Sequence, residues 1–122
     1  MRLFQWLKAR FRSIRYAWQG WMRFFHAEPN TWIHLIATIS VFFLAVGFNV
    51  SATEWILLLM AIALVWIAEM FNSAIEVIVD WISSEWHEKA QYIKDVSAGA
   101  VLVAAAFALI TGLVVFIPYF IS

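Results

Sequence analysis

The stretch "WILLLMAIALVWIAEMFNSAIEVIVDWI" (residues 55–82) decides the fold. Its first fourteen residues, Trp55 to Ala68, carry no charge, and neither Gly nor Pro interrupts the run, so one continuous helix is predicted. At ~1.5 Å per residue such a helix is some 40 Å long, more than a hydrocarbon core is thick, so its polar end should protrude. That end reads "EMFNSAIEVIVD" (69–80). Taking about 100° per residue, Asn72, Glu76 and Asp80 lie about −60°, −20° and +20° from Glu69, so the four form one stripe roughly 16 Å long. Ser73 borders it. Ionisable groups at membrane depth are costly and by default mark a functional site.

Outward from this helix, "NVSATE" (49–54) reads as a short polar turn, with Ser51 or Thr53 as cap and Glu54 suited to the positive end of the helix dipole. Before it, 31–49 is near the ~20 residues a bilayer requires. After it, "SSEWHEKAQYIKD" (83–95) is a polar connection, and a third span covers 96–120. That span opens with the small residues "SAGA" (97–100), which permit close helix contact. Residues 2–25 mix aromatics and basics, with Lys8, Arg12, Arg15, Gln19 and Arg23 on a narrow arc, the pattern of an amphipathic helix lying in the interface. Gly20 is expected to soften this helix, and Pro29 to end it at Glu28. Trp55, Trp81 and Trp86 read as interface anchors, and Trp66 as packing.

A chain 65% hydrophobic and only 13% charged has too little polar surface for a soluble domain of 122 residues. The expected fold is therefore an all-α membrane protein: three transmembrane helices (31–49, 55–82, 96–120), an N-terminal interfacial helix, and a single domain over 1–122. With no cysteine, disulfides, zinc–thiolate sites and thiol catalysis are excluded. Zero net charge conceals segregation. Arg2, Lys8, Arg10, Arg12, Arg15 and Arg23 all precede the first acid, Glu28, and only Lys89 and Lys94 follow it. Such an arm points to a cytoplasmic N-terminus rather than to nucleic acid. It lacks the layout of a signal peptide and is expected to be retained. Three spans then return 80–95 to the cytoplasmic side and leave the C-terminus outside.

Carboxylates this close cannot all stay ionised without a counter-charge. Lys94, the basic arm and a divalent cation are candidates. Mg²⁺ prefers one or two carboxylates plus phosphate oxygens, so Glu28 and Glu76 fit if they meet at the cytoplasmic edge. Glu69, deeper, suits acceptance of a proton from a lipid hydroxyl. Together these suggest phosphoryl transfer at the interface. Blander explanations stand beside each feature: a Glu–Asn pair joins helices in an oligomer, His87 is a solvated loop residue, Lys94-Asp95 is a helix cap, and His34 is either a helix-to-helix hydrogen bond or a ligand contact. No G-x-x-x-x-G-K-[ST] occurs, and the four glycines make no nucleotide loop. From the residues alone, a small transporter or proton relay using Glu69 and Glu76 stands ahead of a kinase.

"EMFNSAIEVIVD" closely resembles the signature of the small prokaryotic diacylglycerol kinase family, which includes undecaprenol kinases. "SSEWHEKAQYIKDVSAGAVL", "YAWQG" and Glu28 extend the likeness over nearly the whole chain. The resemblance implies a homotrimer of three-span subunits in the bacterial cytoplasmic (inner) membrane, using ATP and Mg²⁺ to phosphorylate a lipid hydroxyl, diacylglycerol or undecaprenol. It implies Glu69 as general base, Asn72 orienting the reacting groups, and Glu28 and Glu76 holding the metal with ATP phosphates. It further implies Lys94 on phosphate with Asp95 beside it, and Glu85 and His87 in the nucleotide pocket near Tyr16 and Asp80. Trp18 would line the lipid's access. Departures from the pattern are Ala9, where Gram-negative diacylglycerol kinases carry Arg, and His34, where they carry Glu. A transporter would be expected to match polar residues in all three spans, and the third carries almost none.

Overall fold

A computed structural model describes residues 1–122, and every regular element in it is a helix: α1 Arg2–Ala27, α2 Thr31–Gly47, α3 Ala52–Ile82 and α4 Glu88–Ile121. The chain divides into two compact units, Met1–Trp32 and Ile33–Ser122.

In the first unit α1 runs unbroken through Gly20, where softening was expected. Its residues 2–20 are exposed, aromatic and basic alike, and only Phe24 is buried. The Arg10 guanidinium lies 5.4 Å from the Trp6 ring centroid, so one cation is held against the helix's own aromatic surface. Glu28 ends the helix in extended conformation (φ −101°, ψ 114°), as the residue before a proline must. Its N–H still donates to the Phe24 carbonyl at 3.1 Å. Thr31, 1% exposed, shares its hydroxyl proton between the carbonyls of Glu28 (2.7 Å) and Phe25 (2.9 Å).

In the second unit α3 and α4 are each long and apolar enough to cross a membrane, and the number of spans rises to three if α1 and α2 together make one broken span. α2 has 17 residues and runs about 25 Å, short of the ~30 Å hydrocarbon core, so the first expected span does not qualify alone. Its end is chemically explicit. Asn49 takes the left-handed conformation (φ 52°) that Asn tolerates better than most residues. The Val50 N–H then reaches the Ala45 carbonyl and the Asn49 N–H that of Val46, both at 3.2 Å, a Schellman closure. Two residues on, Ser51 and Glu54 exchange side-chain-to-backbone bonds at 3.2 Å in a capping box, so Ser51 and not Thr53 is the cap of α3.

Packing is chiefly between α3 and α4. Buried or half-buried positions on α3 follow 58, 61, 65, 68, 72, 75 and 79, an alternation of three and four that keeps one stripe against a neighbour. On α4 the buried residues Ser97, Ala104 and Thr111 recur every seven, followed by Val115 and Phe116. Small side chains facing a regular stripe allow close helix approach. Of the "SAGA" stretch only Ser97 is buried, while a Cβ on Gly99 would meet open space.

α4 begins at Glu88, so the polar connection covers only 83–87 and not 83–95. The His87 side chain caps the helix, its Nδ1 accepting the Lys89 N–H at 3.0 Å, and Glu88 occupies the first turn. Polar composition made "EKAQYI" look like loop, yet its residues are mostly good helix formers behind a cap.

Candidate functional site

Each member of the α3 polar stripe finds a different environment. Glu69 turns to α2, where its Oε1 lies 2.9 Å from His34 Nε2, both side chains about one-fifth exposed or less. Of the two explanations open for His34, the helix-to-helix hydrogen bond is the one present. Asn72 occupies the α3 seam. Its Nδ2 donates to Glu76 Oε1 at 3.3 Å, and because a carboxylate only accepts, that bond fixes which amide atom is nitrogen. The remaining atom, Asn72 Oδ1, is buried with no hydrogen-bond partner. A buried carbonyl oxygen without a donor costs about 1–3 kcal/mol, so its retention needs a reason.

Beside Asn72 a groove of about 440 Å³ opens between α3 and α4, lined mainly by apolar side chains including Phe71, Ile75, Tyr92 and Val96. One turn and more beyond Glu76, Asp80 reaches the start of α4. Its Oδ1 accepts from Lys94 Nζ at 2.5 Å, a pair in which Asp80 is well exposed and Lys94 about one-third exposed. Exposed ion pairs contribute only ~0–1 kcal/mol to stability, so this one matters more for where it puts the ammonium group. A smaller pocket of about 120 Å³ lies alongside, bringing together Asp80, Glu85, His87 and Lys94 with Ser83 and Gln91.

Four of the residues expected around a nucleotide thus share one pocket. Asp95 lies one turn from it, accepting from Gln91 Nε2 at 2.8 Å. Ser83 Oγ donates to the Glu85 carbonyl at 2.8 Å and fixes the short connection. Gln91 and Ser83 were not singled out from the sequence, although Gln91 stands four residues before Asp95, the spacing at which helical side chains meet. Tyr16 and Trp18 lie exposed on α1, and Glu28 caps its end; these three belong to the first unit.

No group of three or more His, Cys, Asp or Glu side chains converges to enclose a metal. The oxygens present do suit a hard cation that completes its shell elsewhere. Glu76 offers a carboxylate, and the unpartnered Asn72 Oδ1 beside it is a neutral oxygen donor. Mg²⁺ is bound in this way, by one or two carboxylates with substrate phosphates and water.

A family model and several curated relatives match the chain. The model described as prokaryotic diacylglycerol kinase covers residues 15–116. A diacylglycerol kinase of Synechocystis sp. is 36% identical over 111 residues, 90% of this chain and 63% of that protein. An undecaprenol kinase of Bacillus subtilis is 33% identical over 108 residues, 88% of each chain. A diacylglycerol kinase of Escherichia coli is 35% identical over 100 residues, 82% of each chain. The match therefore spans less than two thirds of the Synechocystis protein, and most of the other two.

Proposed function

The chain belongs to the prokaryotic diacylglycerol kinase family, and on that premise we propose that it is a bacterial membrane lipid kinase. It moves the γ-phosphate of ATP to the hydroxyl of a membrane lipid, diacylglycerol or undecaprenol. The observation that carries this reading is the pocket joining Asp80, Glu85, His87 and Lys94, at the end of the helix that also carries Glu69 and Glu76. An alcohol acceptor at the end of an apolar body needs a proton acceptor near hydrocarbon, and a polyphosphate donor needs cations at the aqueous edge. α3 offers the first at Glu69, and the Lys94 side chain supplies the second. The relatives are lipid kinases by name, and nothing favours the transporter alternative.

In the proposed reaction Glu69 takes the hydroxyl proton as the lipid oxygen attacks the γ-phosphorus. The new O–P bond forms, the bond from γ-phosphorus to the β–γ bridging oxygen breaks, and ADP leaves with that electron pair. Asn72 orients Glu76 through its amide and keeps its carbonyl oxygen available. Glu76, with that oxygen, would hold Mg²⁺, whose charge offsets that of the phosphates. Glu28 enters as the second carboxylate through the family motif alone. Lys94 would bind phosphate while Asp80 holds its Nζ in place. Asp95, Glu85 and His87, with Tyr16 from α1, are assigned to the nucleotide pocket, and Trp18 to the lipid's access. Assembly as a homotrimer, a cytoplasmic N-terminus and an external C-terminus complete the proposal, on the family resemblance and the basic arm.

The test is transfer of labelled phosphate from ATP with Mg²⁺, using purified protein in mixed micelles with diacylglycerol and undecaprenol offered separately. Labelled product from one lipid and not the other supports the kinase and names its acceptor. No labelled lipid from either, with the protein folded and the helices intact, would overturn it.

A further inference from the structure

We propose that His34 is a positioning residue for Glu69, holding its carboxylate in the orientation that lets the second oxygen take a proton. The inference rests on the kinase reading above. His34 Nε2 lies 2.9 Å from Glu69 Oε1. A carboxylate acting as base is ionised and accepts only, so the hydrogen between them sits on Nε2, which fixes the imidazole tautomer. Oε1 is thereby committed and the plane of the carboxylate set. Oε2 is the oxygen His34 does not engage.

His34 is itself held. Its ring packs edge-on against Trp66, with centroids 5.8 Å apart and planes at 63°. Trp66 Nε1 donates to Thr38 Oγ1 at 3.0 Å, and Thr38 Oγ1 donates in turn to the His34 carbonyl at 2.7 Å. Backbone and ring of His34 are thus tied to α3 by two routes one turn apart. A cavity of about 100 Å³ beside the imidazole is lined, apart from Thr38 and Trp66, by aliphatic side chains that include Ala108 of α4. In Ile33–Ser122, Glu69 is the ionisable group that faces His34. The blander role, a polar bond that merely joins two helices, averages about 0.6 kcal/mol in a membrane and does not need such support. A base displaced by ~1 Å can lose ~10²-fold in rate, which does.

The two roles separate in a conservative pair of substitutions. His34→Gln places an amide N–H near the position of Nε2, whereas His34→Asn reaches only as far as Nδ1. Positioning predicts kcat lowered about 10- to 100-fold in His34→Asn, with KM for ATP unchanged and the protein folded. His34→Gln should recover to within about threefold of the unsubstituted rate, since it restores the donor. In the Glu69→Gln background His34→Asn should add no further loss, because both act through one group. The Nε2 resonance of His34 should also move on Glu69→Gln in a ¹⁵N spectrum of the imidazole. Equal kcat in His34→Asn and His34→Gln, or a resonance indifferent to Glu69→Gln, would overturn the inference alone. Absence of lipid phosphorylation by the unsubstituted protein would overturn the kinase reading and this inference with it.

Discussion

The two ends of the α3–α4 pair treat polar groups in opposite ways. At the Asn49–Glu54 end the capping and cross-helix polar groups are closed on neighbours. Ser51 and Glu54 cap one another, and Tyr119 Oη donates to Glu54 Oε1 at 2.7 Å across 65 residues of sequence. Ala45, Val50, Leu58, Val115 and Phe116 are buried there as one cluster, with Phe48 stacked 5.3 Å from the Tyr119 ring. At the Glu69–Asp80 end the carboxylates point to three different partners, an amide oxygen is left buried and unbonded, and two cavities open between the helices. Satisfied polar groups under an apolar cover stabilise a fold. Partly satisfied ones are retained where something else is to be bound.

Substitutions at the two ends should therefore fail differently. The largest effect is expected for Glu69→Gln, which keeps shape and removes the proposed base: lipid phosphorylation should fall about 10²- to 10⁴-fold with the melting temperature unchanged. A rate within tenfold of the original would remove Glu69 from that role. Next, Glu76→Gln removes the proposed carboxylate ligand of the metal, and KM for Mg-ATP should rise about 10- to 100-fold, as loss of a charged interaction of ~1.5–3 kcal/mol implies. Steady-state kinetics at varied nucleotide would read this directly.

Asn72→Leu sharpens the contrast most. Replacing a half-satisfied buried amide by an apolar group of similar volume should leave thermal stability equal or higher, while transfer drops about tenfold or more. If stability fell and the rate did not, Asn72 would be a structural bond like those at the far end. The smallest effect belongs to Tyr119→Phe. It deletes one closed hydrogen bond, so stability should decrease by about 1 kcal/mol in denaturation with turnover unaffected. A large loss of turnover there would dissolve the distinction between the ends.

Much of this arrangement was legible in the residues. The uninterrupted apolar run gave α3 to within a few residues, and the i, i+3, i+7, i+11 spacing put the four polar residues on one face. The polar turn before α3 was legible, with Ser51 and Thr53 both open as its cap, and the reciprocal Ser51–Glu54 box was not singled out. What remained hidden depends on neighbours. The stripe reads as one line in sequence, but Glu69 faces α2, Asn72 the α4 seam and Asp80 the α4 start, directions that only helix packing determines. The start of α4 was placed eight residues late because a polar first turn outweighed its helix formers and its His87 cap. The chain of His34, Thr38 and Trp66 had no signal beyond lone polar or aromatic residues in apolar runs. The Glu54–Tyr119 bond had none at all.

The central claim is that the polar end of α3 divides its work, with the proton acceptor at Glu69 and the nucleotide at the edge formed by Glu76, Asp80 and Lys94. Calorimetric binding of Mg-ATP to the Glu69→Gln protein tests it most directly. Affinity equal to that of the unsubstituted protein, in a variant that no longer transfers phosphate, is the predicted result. Loss of nucleotide affinity in step with loss of transfer would contradict it, and would make the stripe one undivided site.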